Sequence, residues 1–180
     1  MRIHTIGHST RAQGALIGLL TEAGVALLID VRSWPRSRRN PQFDAQVLEA
    51  ALGEAGIGYA HLKALGGKRG PAKGAAPSPN AAWREPALRD YADYALTPAF
   101  RAGLEALRGL ARARATAIMC AEGHWSQCHR QIIADYLLAA GDRVVHILGP
   151  GETEPARLSP DAAPQPDGSL HYPARQGALF

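Results

Sequence analysis

Two thiols, an imidazole and a carboxylate lie close together in the second half of the chain. Cys120 and Glu122 are followed by Cys128 and His129. A carboxylate can act as a general base, and a thiol beside an imidazole can act as a nucleophile. We therefore treat Glu122, Cys128 and His129 as candidate catalytic residues. The simpler alternative is that each thiol only fills space in the core.

Arg130 places a fixed positive charge directly after this group. Ser126 is a predicted helix N-cap, which would put Cys128 and His129 in the first helical turn. The free backbone N–H groups of such a turn attract anions and lower the pKa of a thiol. The segment thus predicts a phosphate-binding pocket that includes Arg130.

Other chemistries fit the two cysteines less well. A Cys-x5-Arg loop, as in phosphatases and rhodanese-like enzymes, would need arginine where this chain has Ser126. Cys120, His124, Cys128 and His129 could supply four zinc ligands, but the usual Cys-x2-Cys pairing is missing. We therefore expect reduced thiols, no metal and no cofactor.

Further charged side chains follow other apolar runs. Asp30 ends one run and is a candidate catalytic carboxylate, or else the ion-pair partner of Arg32. Four arginines between residues 32 and 39 surround Trp34, and such a loop can hold phosphates and stack a base, or be a solvated surface. The candidate substrate- and phosphate-binding residues are His8, Ser9, Arg32, Arg38, Arg39, His61, Arg69 and Arg130.

These residues fall at the ends of predicted strands in a chain that alternates strands with helices. Apolar runs predict five strands, at residues 3–7, 25–31, 57–62, 115–120 and 144–148. The alternation predicts a three-layer α/β fold with a mostly parallel five-stranded sheet and helices on both faces. Sheets of this kind bind ligands beyond the carboxyl ends of their strands, so we expect the candidate residues to converge there.

We expect one α/β domain over residues 1–149, with a long basic, glycine-rich loop at 63–86. Six prolines after residue 149 predict a flexible C-terminal tail over 150–180. Gln176, Leu179 and Phe180 in its last five residues resemble the peptide by which bacterial repair and replication proteins hold the DNA sliding clamp. The alternative is an ordinary tail whose Leu and Phe pack on their own domain.

The chain also resembles a known family, the bacterial domain of unknown function 488. The matching stretches include Thr5–Ser9, Asp30–Arg32, Gly56–His61, Leu65–Gly67, Met119–Glu122 and Cys128–Arg130. The resemblance implies an α/β fold and one shared site, but it implies no substrate.

Composition allows several classes of function. The 180 residues carry a net charge of +4, with a pI of about 9.4, which permits nucleic acid or phosphate ligands. We find no apolar signal core and no membrane-spanning run, and expect a cytoplasmic protein.

The most coherent hypothesis is an enzyme, a hydrolase or lyase acting on a nucleotide or nucleic acid in DNA repair or base processing. The alternatives are a non-catalytic nucleotide- or DNA-binding module recruited to the sliding clamp, and a small-molecule thiol enzyme that uses Cys128.

Overall fold

The computed structural model describes residues 1–71 and 77–174. Its strands are β1 (Arg2–Gly7), β2 (Leu27–Asp30), β3 (Gly58–His61), β4 (Thr116–Cys120), β5 (Arg143–Gly149), β6 (Glu152–Pro155), β7 (Ala163–Pro164) and β8 (Leu170–His171). Its helices are α1 (Gln13–Glu22), α2 (Ala45–Glu54), α3 (Pro86–Tyr94), α4 (Pro98–Ala113) and α5 (Arg130–Ala139). Among these helices, none has the length and apolar character needed to cross a bilayer.

The main sheet has the strand order β3-β2-β4-β1-β5-β6. All of its neighbouring strands are parallel except β5 and β6, which are antiparallel. The predicted mostly parallel sheet is confirmed, with six strands rather than five. The extra strand, β6, is fully exposed and charged, so it lacks the apolar signal of a buried strand.

Helices cover both faces of this sheet, as predicted. One core cluster joins α1 and α2 to one face, and it contains Ala117 and Met119 of β4. The other joins α3, α4 and α5 to the opposite face, and it contains Ile118 and Cys120 of the same strand. Because side chains alternate along a strand, Cys120 is directed toward the face that α5 covers.

The prediction of a flexible tail from residue 150 is wrong for residues 150–174, which pack on the domain. β6 pairs with β5, and Leu170 and Tyr172 are buried in the core cluster beside α5. The buried Asp135 of α5 accepts hydrogen bonds from the Tyr172 hydroxyl at 3.0 Å and from the Ser159 N–H at 2.8 Å. Prolines are tolerated in edge strands and turns, so their number alone did not distinguish this segment from a disordered one.

The proposed clamp-binding residues Gln176, Leu179 and Phe180 lie outside the described residues.

Candidate functional site at the carboxyl ends of the strands

The parallel strands bring the predicted site residues to one edge of the sheet. Gly7 of β1 is in register with Cys120 of β4, and Asp30 of β2 lies between Met119 and His61 in the neighbouring strands. A cavity of about 520 Å³ opens beyond these strand ends. Its lining includes His8, Arg32, Trp34, Arg36, Lys68, Glu85, Cys120, Glu122, Cys128 and His129.

The floor of this cavity holds the two thiols, the imidazole and the carboxylate. The Glu122 Oε2 atom lies 2.8 Å from the Sγ of Cys120 and 3.4 Å from the Sγ of Cys128. The His129 Nδ1 atom lies 3.6 Å from the Sγ of Cys128 and 3.9 Å from the Sγ of Cys120. Both cysteines and His129 are buried, whereas Glu122 is exposed. We call these four residues the thiol cluster.

The turn before α5 is built differently from the prediction. Ser126 does not cap α5 but lies inside a 3-10 turn (Trp125–Gln127), where its N–H donates to the side chain of His124. Cys128 is extended, and α5 begins at Arg130 with His129 in the N-cap position. Cys128 therefore precedes the helix instead of lying in its first turn.

His129 is held so that its Nδ1 atom faces the thiols. Its Nε2 atom lies 2.9 Å from the carbonyl oxygen of Val31, and because a carbonyl only accepts, Nε2 carries the proton. In the neutral ring, Nδ1 then has a free lone pair. The Tyr91 ring packs against the imidazole with 4.8 Å between centroids. Gly67 packs so closely on the imidazole that a Cβ atom there would overlap Nδ1, Cε1 and Cγ, so the ring keeps this position only beside a glycine.

The two thiols differ in acidity because they interact with each other. Burial raises the pKa of the Cys128 thiol, but its contacts with Cys120, His129 and Arg130 outweigh burial and hold that pKa well below its usual range. The hydrogen bond to Cys128, together with burial and the nearby Glu122 charge, raises the pKa of Cys120 well above its usual range. The pair thus has one acidic sulfur and one thiol that donates to Glu122.

Arg130 stabilises the loop between β4 and α5, which carries Glu122 and Cys128. Its Nε donates to the Cys128 sulfur at 3.3 Å, and its Nη2 donates to the Glu122 carbonyl at 2.6 Å. The residue is 1% exposed and is not among the cavity-lining residues. These contacts make Arg130 a support for residues 122–128, whereas the sequence had placed it on a phosphate.

Asp30 and Arg32 form a buried ion pair beside the cavity. The Arg32 Nη2 donates to Asp30 Oδ2 at 2.6 Å and its Nε to Oδ1 at 2.9 Å, while the Tyr59 hydroxyl donates to Oδ2 at 2.8 Å. Burial and the Asp30 charge raise the pKa of Tyr59 well above its usual range. Asp30 is fully buried and does not line the cavity, whereas Arg32 does.

His8 meets Arg32 at the cavity wall. Its Nδ1 donates to the Ser9 carbonyl at 2.8 Å, and its Nε2 lies 3.4 Å from Nη1 of Arg32. The ring stacks on Phe43 at 4.3 Å. Burial is the main reason why the pKa of His8 is lowered, and the Arg32 charge acts in the same direction. His8 is therefore a neutral acceptor for the guanidinium near neutral pH.

The remaining predicted binding residues lie outside the cavity lining. The Ser9 N–H donates to the carbonyl of Ala121, and His61 Nε2 donates to the carbonyl of Arg32 at 2.7 Å. Arg69 donates to backbone carbonyls of its own loop and stacks on Tyr94 at 3.6 Å. Two further arginines, Arg38 and Arg39, are exposed to solvent and are not among the cavity-lining residues.

Sequence reasoning missed Arg36 and Lys68, which line the cavity rim with Trp34. The Lys68 ammonium lies 5.1 Å from the centre of the Trp34 ring, and Trp34 is 62% exposed. Arg36 and Lys68 lie in the two segments that the sequence analysis described as basic. A single sequence does not tell which side chain of a basic segment faces the cavity.

Trp125, in the loop that joins β4 to α5 and carries part of the thiol cluster, contacts the β5–β6 hairpin. The Trp125 ring stacks on His146 of β5 with 4.4 Å between centroids and 10° between planes. Its Nε1 donates to Glu154 of β6 at 3.1 Å. The loop is thus supported by the hairpin on one side and by Arg130 on the other.

Comparison with known families assigns the chain. The model of a family described as "Domain of unknown function DUF488" matches residues 13–137. The chain belongs to the DUF488 family. The matched residues contain the Asp30–Arg32 pair and the whole thiol cluster, and they end before β5. No curated protein matches the chain, and no solved structure does.

Proposed function

We propose that this DUF488 protein is an enzyme, a hydrolase or lyase, that acts on a nucleotide or on one unit of a nucleic acid. The observation that carries the proposal is the cavity itself, which combines reactive groups on its floor with an exposed tryptophan and two cations on its rim. Its volume of about 520 Å³ falls within the range of small-molecule sites, roughly 300 to 1,000 Å³.

The rim supports a ligand that has both an aromatic ring and a negative charge. Trp34 offers its face to a base, and stacking of this kind tolerates any base because every base has a π-face. Arg36 and Lys68 supply positive charge for phosphate, and the carboxylates of the cavity lining are Glu85 and Glu122. Arg32 contributes less charge because Asp30 neutralises it.

The floor supports hydrolysis or elimination. Glu122 has an exposed carboxylate in the cavity lining, where it can take a proton from water or stabilise positive charge on a sugar. Cys128 is only 2% exposed, which argues against the alternative of a thiol enzyme whose sulfur attacks the substrate.

Binding and turnover test the proposal separately. The probes are deoxynucleoside 5′-monophosphates and a fluorescein-labelled single-stranded oligonucleotide. Trp34→Ala should weaken binding by about 1 to 3 kcal/mol, which is roughly 5- to 150-fold. Arg36→Ala should also lower the salt dependence of oligonucleotide binding by about one ion. The charge-matched control is Arg112→Ala, an exposed residue at the end of α4 that leads into β4, toward the opposite edge of the sheet.

Turnover is then followed by chromatography of bound nucleotides and of oligonucleotides that carry damaged or modified bases. Glu122→Gln should slow product formation by about 10²- to 10⁴-fold while binding persists. The proposal fails if neither probe binds below about 1 mM, or if Trp34→Ala and Arg36→Ala both bind like Arg112→Ala. Binding without any turnover would favour the non-catalytic module instead.

We further propose DNA repair or base processing in the cytoplasm as the setting. The free thiols Cys120 and Cys128 support a reducing compartment. Gln176, Leu179 and Phe180 support recruitment by the DNA sliding clamp, because an apolar pair can enter a partner pocket while the amide bonds at its rim. Deleting Leu179 and Phe180 should abolish clamp binding and leave nucleotide binding unchanged. A full-length protein with no clamp affinity would contradict the recruitment alone.

A further inference from the structure

We propose that Cys120, Glu122, Cys128 and His129 bind one zinc ion at the floor of the cavity. The sequence argued against zinc because it lacks a Cys-x2-Cys pair. In the fold, one ligand comes from the end of β4, one follows that strand, and two precede α5, so sequence spacing is a poor guide to their distance. His124, considered earlier as a ligand, bonds to Ser126 instead, and Glu122 takes its place in the cluster.

The geometry fits a four-coordinate zinc site. The four ligand atoms all lie within 4.8 Å of one another. Zinc–sulfur distances of about 2.3 Å and zinc–nitrogen or zinc–oxygen distances of about 2.0 to 2.2 Å give tetrahedral ligand–ligand separations of roughly 3.3 to 3.8 Å. The sulfur–nitrogen and sulfur–oxygen separations in the cluster span 2.8 to 3.9 Å. The separations of 3.4, 3.6 and 3.9 Å lie within or close to the tetrahedral range, whereas the 2.8 Å pair would have to open by roughly 0.5 to 1 Å.

The groups around the ligands are those that a zinc site needs. His129 donates its Nε2 proton to the carbonyl of Val31, which fixes the tautomer that leaves Nδ1 free for a metal. Arg130 donates to the Cys128 sulfur, as an outer-shell partner of a thiolate does. Gly67 packs on the imidazole where any larger residue would displace the ring.

The donor set selects zinc among the common cations. Two sulfurs with an imidazole and a carboxylate suit a borderline-soft ion that accepts tetrahedral geometry. Mg²⁺ and Ca²⁺ prefer oxygen ligands in larger numbers. Glu122 is the exposed member of the set, and its Oε2 atom is the one that faces both sulfurs. Binding zinc through Oε2 would leave Oε1 for the proton transfer proposed above.

The test measures metal content, so it is independent of turnover and of the proposed substrate. Untagged full-length protein is reduced, incubated with excess zinc, desalted and analysed by mass spectrometry. We expect about one zinc per chain in the wild type and in His124→Asn, the matched control from the same loop. Cys128→Ser should lower occupancy at least about tenfold. Gly67→Ala keeps all four ligands but should also lower occupancy, because its methyl group would overlap Nδ1.

A second measurement guards against a variant that does not fold. Wild-type apoprotein is titrated with Co²⁺, which should produce the intense visible bands of a tetrahedral thiolate complex, and zinc should remove them. The proposal is overturned if zinc-treated wild type with titratable, reduced thiols holds less than about 0.1 zinc per chain. It is equally overturned if Co²⁺ gives no thiolate bands, or if folded Cys128→Ser retains wild-type zinc.

Discussion

Replacing Asp30 by alanine should destabilise the fold far more than an ordinary surface substitution. The change leaves the Arg32 guanidinium, 5% exposed, without its carboxylate partner. The Asp30 carboxylate accepts three hydrogen bonds from the Arg32 side chain and one from the Tyr59 hydroxyl. Breaking a buried pair from one side costs about 3 to 5 kcal/mol, because an uncompensated charge stays buried.

The expected loss is large relative to the stability of a single domain, about 5 to 15 kcal/mol in total. For a chain of this size, each kcal/mol lowers the melting temperature by about 2 to 4 °C, so Asp30→Ala should melt roughly 6 to 20 °C earlier. Urea unfolding followed by circular dichroism gives the free energy directly. Glu49→Ala, which removes an exposed carboxylate from α2, is the control and should change stability by less than about 0.5 kcal/mol.

A double-mutant cycle isolates the ion pair from other effects of the substitution. Arg32→Met keeps most of the apolar stem, and Asp30→Ala with Arg32→Met removes both charges. The double variant should recover a large part of the loss of Asp30→Ala, with a coupling of about 2 kcal/mol or more. A cost below about 1 kcal/mol for Asp30→Ala, or strictly additive single effects, would refute the structural role that we assign to this pair.

Two further predictions concern the C-terminal segment and pH. Leu170→Ala should lower the free energy of unfolding in urea by about 2 to 5 kcal/mol, because Leu170 is fully buried. The control Leu158→Ala, at a side chain that is 39% exposed, should lower it by about 0.5 kcal/mol. Equal small losses in the two variants would restore the flexible-tail interpretation. Burial, aided by the Arg130 and His124 charges, lowers the pKa of His146 to about 4 from its ordinary 6.5. The stability held by neutral His146 is therefore complete above pH 6.5 and declines as the pH falls toward 4, by about 1 to 3 kcal/mol after allowance for solvent screening. Subtracting the urea-derived profile of His146→Asn from that of the wild type should reveal this decline, and parallel profiles would contradict it.

Much of the fold follows from local patterns. The apolar run of residues 25–31 predicted β2. Gly24, Gly56 and Gly141 each have a positive φ directly after the C-cap residue of a helix, a position where glycine is a recognisable stop signal in the sequence. Because parallel strands share one carboxyl edge, the position of the site followed as soon as the strands were recognised.

Side-chain roles depended on contacts that sequence does not encode locally. In an ideal strand Asp30 and Arg32 would face the same side, but β2 ends at Asp30 and the chain turns so that Arg32 reaches back to it. Arg130 and Arg69 resemble phosphate ligands as residue types, yet their donors are directed at backbone carbonyls and at a sulfur. The packing of residues 150–174 likewise depends on a partner, Asp135, that is distant in the chain.

Trp125 contacts His146 and Glu154 of the β5–β6 hairpin. Through this contact the hairpin helps to position the loop that carries Glu122 and Cys128. The hairpin lies beyond residues 13–137, the span that the family model matches. Replacing that hairpin would remove the contacts that hold Trp125. The loop would then shift, and the distance between the sulfurs would change although every residue of the thiol cluster was retained. The geometry of the thiol cluster therefore depends on this distant contact as well as on the residues that line the cavity.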